Sequence, residues 1–216
     1  MYNLCIFDLD GTLLDTSEGI IHCYNHIADA FSRARLPKAQ FRKAIGGPLL
    51  QNFMDYYKMS HDEAAEAASV YRELYAREGV YMAEHYGGMK ELLYRLADSG
   101  RKTAVATLKR QDLAVKILTE FGLAGAFGVI YGMDENDMLT KSSLICRCVD
   151  YFSVRAEEAV LIGDSMNDAV GAQNAGVAFI GVTYGLGFAA GDGNEISAAG
   201  GAVARSVGEL CGLLFT

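Results

Sequence analysis

Asp8-Leu9-Asp10-Gly11-Thr12 follows directly on the apolar run Leu4–Phe7. In extended backbone, residues two apart face the same side, so Asp8 and Asp10 project together while Leu9 turns away. Two acids held together at a strand end are electrostatically costly without a cation. Hard oxygen ligands of this kind suit magnesium, which takes few protein ligands and keeps some water. Gly11 lets the chain turn sharply just after the pair. A calcium loop is excluded by spacing. Counted from Asp8, its ligand positions fall on Asp8, Asp10, Thr12 and Gly19, and the last of these has to be Glu.

Three further stretches carry reactive side chains. Val160-Leu161-Ile162 is an apolar strand that ends in Gly163-Asp164, and Asp168 lies about one helical turn further on. Asp164 and Ser165 also suit a helix N-cap. Thr107 closes the strand Thr103–Thr107. Lys141 opens a helix in Thr140-Lys141-Ser142-Ser143-Leu144, where a cation opposes the helix dipole unless an anion is near. A serine-hydrolase reading of Gly163-Asp164-Ser165 fails for want of a later base, since His22, His26, His61 and His85 all precede it. His22 and His26 share a helix face, but two metal ligands without a third make a weak site.

The elements that position these groups alternate short β-rich runs with longer helical ones, as in a parallel α/β sheet. Strands are expected at Leu4–Phe7, Thr103–Thr107, Val129–Tyr131, Ala159–Ile162 and Val177–Ile180. Asp8, Thr107 and Asp164 each stand at a strand's carboxyl end, where ligands bind in open α/β sheets. From about Thr16 to Ala83 the alternation stops, and helices are expected near 17–34, 38–45, 49–58 and 61–78. Pro37, Gly46-Gly47-Pro48 and Gly79 punctuate this block. After Gly181 a Gly- and Ala-rich stretch reads as loops around a short strand, Ala202–Ala204, and a closing helix, Val207–Leu214.

In these residues and their order the chain resembles the haloacid dehalogenase superfamily, and more closely its phosphoglycolate-phosphatase-like branch. The resemblance implies a Rossmann-like parallel core, residues 1–15 and 84–216, with an inserted all-helical cap, residues 16–83. It implies a magnesium-dependent phosphatase acting on a small phosphorylated metabolite. Asp8 would attack phosphorus, and Asp10 would protonate the leaving oxygen and then activate water, its backbone carbonyl ligating the metal. Thr107 and Lys141 would bind the phosphate. Asp164 would hold the metal directly, and Asp168 would hold a metal-bound water or orient Lys141. Gly46 and Gly47 resemble the family's substrate-facing cap loop and equally a simple turn. Leu108 and Ser142 depart from the family pattern, which often has a polar residue after the Thr and a Pro after the Lys.

The bulk properties agree with such a chain. Asp and Glu outnumber Lys and Arg by 27 to 19, the wrong balance for a general binder of nucleic acid or anionic membranes. No apolar run approaches the ~20 residues of a membrane span. With no room for a signal peptide before the first strand, a cytoplasmic monomer or homodimer is expected. Five scattered cysteines lack zinc spacing and read as reduced, mostly buried thiols. The alternatives are a phosphomutase of the same fold, a nucleotidase or pyrophosphatase, and more remotely a phospho-acceptor signalling domain or a non-catalytic phosphate-binding protein.

Overall fold

The computed structural model of the chain describes residues 2–37, 40–41, 44–45, 47–135 and 138–215. Strand β1 (Leu4–Phe7) sends Leu4 and Ile6 to one face and Cys5 and Phe7 to the other, and all four are fully buried. Burial on both faces belongs to a strand inside a parallel sheet with helices on either side. The remaining strands of that sheet are β2 (Lys102–Arg110), β3 (Val129–Met133), β4 (Ala159–Gly163), β5 (Ala178–Val182) and β6 (Ala202–Ala204). All neighbours pair in parallel, in the order β3-β2-β1-β4-β5-β6. This is the doubly wound order of Rossmann-like folds, and its direction reverses between β1 and β4.

The helices are α1 (Ser17–Ala30), α2 (Leu49–Tyr57), α3 (His61–Arg77), α4 (Met89–Asp98), α5 (Gln111–Glu120), α6 (Lys141–Phe152), α7 (Met166–Ala175), α8 (Gly193–Ala198) and α9 (Val207–Phe215). On one side of the sheet α6 and α7 pack Leu144, Ile145 and Ala172 against Leu4, Ile6 and Leu161. The other side carries Leu92 and Leu96 of α4, Ile117 of α5 and Leu210 of α9, in one hydrophobic cluster with Phe7 and Val105. That cluster runs on without a break into the helical insertion.

The insertion is built around Tyr24, whose ring meets Phe53 at 5.3 Å, Tyr71 at 5.6 Å and Phe41 at 5.7 Å. A capping box between Ser60 and Glu63 starts α3, and Lys58 in a left-handed conformation ends α2. The expected helix near 38–45 falls partly outside the described residues, of which Gln40, Phe41 and Ala44 are helical. The chain leaves and re-enters the core through a two-residue antiparallel ladder, Leu14 opposite His85 and Asp15 opposite Glu84. This ladder was not anticipated, because two residues per strand leave no readable periodicity.

The end of β2 differs most from expectation. β2 runs on past Thr107 to Arg110, with its register against β3 broken between Ala106 and Arg110. Three residues of β2 there stand against Gly132 alone, a bulge. Gly132 makes it possible, since a β-carbon on it would lie 2.6 Å from the Lys109 carbonyl oxygen. Cys146 is exposed, while Cys5, Cys23 and Cys148 are buried as free thiols. No described helix is long and apolar enough to cross a membrane.

Candidate active site

β1 delivers Asp8 to the crevice where the strand order reverses, and β4 delivers Asp164 beside it. The segment after Asp8 turns at once, with the N–H groups of Thr12, Leu13 and Leu14 all donating to the Leu9 carbonyl. Gly11 takes the positive φ of 79° that this turn needs. Asp8, Asp10, Asp164 and Asp168 are each buried to within 6% of full enclosure.

Lys141 ties the cluster together. Its Nζ lies 2.5 Å from Asp8 Oδ1 and 2.6 Å from Asp168 Oδ1, and its side chain is almost wholly enclosed. It is the first residue of α6, capped by Thr140, so the unfavourable end of the helix dipole is offset by two carboxylates. Burial favours the neutral amine, but Asp168 and Asp8 outweigh it and hold Lys141 above the ordinary lysine range. Gly171 on α7 leaves room for the lysine, since a β-carbon there would meet Lys141 Cγ at 2.6 Å.

The two acids after β4 are fixed by different means. Asp164 Oδ2 accepts the N–H groups of Leu186 at 2.7 Å and Gly187 at 2.8 Å, from the glycine-rich loop after β5. Ser165 is the N-cap of α7, and Asp168 is its capping-box partner, with Oδ2 accepting the Ser165 hydroxyl at 2.6 Å. The cap reading and the site reading of this stretch therefore both hold, on different residues.

Asp8, Asp164 and Asp168 each offer one oxygen, all within 4.8 Å of one another. They are the one such grouping of His, Cys, Asp or Glu among the described residues, so the His22–His26 pair and Cys146-x-Cys148 gather no third ligand. Burial, the largest influence, pushes Asp8 up to about 7 against the pull of Lys141. Burial and the charges of Asp168 and Asp8 push Asp164 well above the ordinary carboxylate range. Three carboxylates sharing one ammonium leave an excess of two negative charges. A hard divalent cation fits both the charge and the oxygen donors.

Asp10 stands apart from this trio. Its Oδ1 accepts the Thr16 hydroxyl at 2.6 Å and pairs with Lys109 Nζ at 3.0 Å. Thr107 is buried, and its hydroxyl accepts the Lys109 N–H at 3.2 Å across the bulge. Lys109 and Thr16 were missed as site residues. Nothing local marks them, because their common partner is Asp10 and only the fold brings them to it.

A cleft lies between the core and the insertion. Asp8, Asp10 and Thr107 line it from below, and Tyr24, Tyr71, Tyr75 and Gly47 from above. Gly47 thus lies on the cleft wall, while Gly46 lies outside the described residues.

The haloacid dehalogenase-like hydrolase family model matches residues 5–182. A 5'-nucleotidase of Pseudomonas aeruginosa is 38% identical over 192 residues, 86% of this chain and 85% of that protein. A phosphoglycolate phosphatase of Vibrio parahaemolyticus is 30% identical over 191 residues, 84% of each chain. The crystal structure of a predicted phosphatase from Clostridium acetobutylicum superposes with a TM-score of 0.92 at 33% identity, covering 100% of this chain and 99% of that one. The chain belongs to the haloacid dehalogenase-like hydrolase family. Within it, the chain falls among the phosphatases.

Proposed function

We propose that the chain hydrolyses a small phosphate monoester with magnesium, through a phospho-aspartate on Asp8. The observation that carries this reading is the buried group of Asp8, Asp164 and Asp168, two of them paired with Lys141. Those three carboxylates, with the Asp10 backbone carbonyl, would hold magnesium. When bound, the ion neutralises negative charge on the carboxylates and the phosphoryl oxygens.

In the first step an Asp8 oxygen attacks phosphorus and the bond to the ester oxygen breaks, while Asp10 gives that oxygen a proton. Lys141 and the Thr107 hydroxyl stabilise the charge spread over the phosphoryl oxygens. In the second step water attacks phosphorus, Asp10 takes its proton, and the bond to Asp8 breaks. Phosphate leaves and the enzyme is restored. Dividing the reaction helps because uncatalysed phosphate monoester hydrolysis is so slow that enzymes accelerate it by up to ~10²¹.

Residues 16–83 act in this reading as a cap over the core formed by 1–15 and 84–216, excluding bulk water from the reacting groups. The relatives' names point to 5'-nucleotides, pyrophosphate and phosphoglycolate as candidate substrates. Tyrosine rings on the cleft wall suit a leaving group with a flat apolar face.

Phosphate release from nucleoside monophosphates, phosphoglycolate, pyrophosphate, hexose phosphates and an aryl phosphate tests this, with and without magnesium, for wild type and Asp8→Asn. Magnesium-dependent release that falls by on the order of 10⁴ or more in Asp8→Asn is expected. Full activity in Asp8→Asn, with deamidation excluded by mass, would remove the nucleophile. Release that requires a sugar bisphosphate would turn the reading toward a mutase.

A further inference from the structure

We propose that Lys109 is a positioning residue that ties Asp10 to the helical insertion, aligning that carboxylate for the leaving group when the insertion is seated on the core. The inference rests on the phosphatase reading and deepens it.

Lys109 leaves the β2 bulge with a side chain only 8% exposed. Its Nζ lies 3.0 Å from Asp10 Oδ1 and 4.2 Å from the centre of the Tyr75 ring. Tyr75 belongs to α3 of the insertion, is fully buried, and stacks on Tyr71 at 5.8 Å with 12° between the ring planes. One ammonium thus touches the acid of the core loop and an aromatic face of the insertion. An ammonium over an aromatic ring is attracted by the ring's quadrupole, and more strongly where water is excluded. Burial alone favours the neutral amine, yet Asp10 and Tyr75 together hold Lys109 above the ordinary lysine range.

The second hold on Asp10 comes from the insertion directly. Thr16, immediately before α1, donates to the same Oδ1 at 2.6 Å. Both contacts converge on one oxygen, which directs the rest of the Asp10 carboxylate at the cleft that it lines. Lys141 already balances the Asp8 side of the cluster, so a second lysine is not needed there. Lys109 instead gives Asp10 a fixed direction that depends on Tyr75 being in place. A displaced acid loses rate steeply, since positioned proton transfer contributes typically ~10²–10⁴.

The test compares two esters with the magnesium-loaded enzyme. An alkyl phosphate needs its leaving oxygen protonated, whereas p-nitrophenyl phosphate expels a stable phenolate without a proton. In Lys109→Met, the first step, read as pre-steady-state release of the leaving group, is expected to slow by ~10² for the alkyl ester and by less than ~10-fold for the aryl ester, while hydrolysis of phospho-Asp8 slows alike for both. Tyr75→Leu should show the same selective loss, Tyr75→Phe should recover much of it, and the double variant should be little worse than Lys109→Met alone. Equal losses on both esters in that first step, or independent and multiplying effects of the two substitutions, would overturn the proposal. Should Lys109→Met fail to fold by thermal melt, the Tyr75→Leu and Tyr75→Phe pair decides on the same criterion. A wild-type enzyme inactive on both esters, or an active Asp8→Asn, would instead sink the phosphatase reading on which this stands.

Discussion

Gly185 is pressed against Gly11: a β-carbon on it would stand 2.1 Å from the Gly11 carbonyl oxygen and 2.6 Å from Asp164 Cβ. The contact seats the loop after β5 in the angle between the Asp8–Asp10 turn and Asp164. From there the loop offers the N–H groups of Leu186 and Gly187 to Asp164 Oδ2. The direction of one carboxylate in the trio is thus set by a loop that carries no reactive group of its own.

Gly185→Ala is therefore expected to disturb the proposed metal site without replacing any of its ligands. The added carbon has backbone on one side and Asp164 on the other, so neither neighbour can yield cheaply. Magnesium affinity, read by calorimetric titration, should weaken by ~10–100-fold, the usual effect of disturbing the groups that orient a ligand. Gly191→Ala, where a β-carbon meets nothing within 4 Å, should leave the titration unchanged. Equal affinities in wild type and Gly185→Ala would show that Asp164 is held by other means.

Ser165→Ala removes an N-cap and a partner of Asp168 in one change. Its hydroxyl donates to Asp168 Oδ2 at 2.6 Å and accepts the Asp168 N–H at 3.4 Å. The cap should be worth about 1 kcal/mol of stability, seen as a lower midpoint in denaturant. Asp168 would also be freer to turn away from Lys141. The magnesium concentration for half-maximal activity should rise by ~10-fold or more. A loss of stability with an unaltered magnesium dependence would assign Ser165 to α7 alone.

The acid cluster makes stability depend on pH differently with and without metal. Burial pushes Asp8 up to about 7 from an ordinary value of 3.8. Between those values the folded chain keeps a proton at Asp8 that the unfolded chain releases. Stability from this group is thus greatest in acid and is lost as pH rises through the window. Magnesium favours the ionised carboxylate and removes the loss. Its stabilisation of wild type, measured by thermal melts in EDTA and in excess magnesium, should be larger at about pH 8 than at about pH 5. Asp8→Asn should reduce that difference, and a magnesium shift independent of pH in wild type would contradict the assignment.

Much of this site was legible because its determinants are local. An apolar run closed by Asp8-Leu9-Asp10-Gly11 announces a strand, a turn and two convergent acids within a few residues, and β1 occupies Leu4–Phe7 as expected. Gly163-Asp164 closing β4 and Lys141 opening α6 were legible for the same reason. The β2 bulge was not, since Thr107-Leu108-Lys109-Arg110 shows no break and its cause is Gly132 on the neighbouring strand. Gly185 and Gly187 read as loop residues because what demands their smallness is the backbone around Asp164 and Gly11. Lys109 carried no signal of its own beside Leu108, the residue that departs from the family pattern. Its meaning lies in Asp10 and Tyr75, both distant in sequence.

β1 is bonded on one edge to β2 and on the other to β4, so it is made early and completed late. At roughly 5–20 residues per second, roughly 8–30 s of synthesis separate Leu4–Phe7 from the arrival of Ala159–Gly163. Through that interval the most apolar strand of the sheet has an open side, a natural place for a chaperone to bind. A chain that ends before Asp164 carries Asp8 without Asp164 and Asp168. The grouping of three acids therefore forms only once the greater part of the chain has been made.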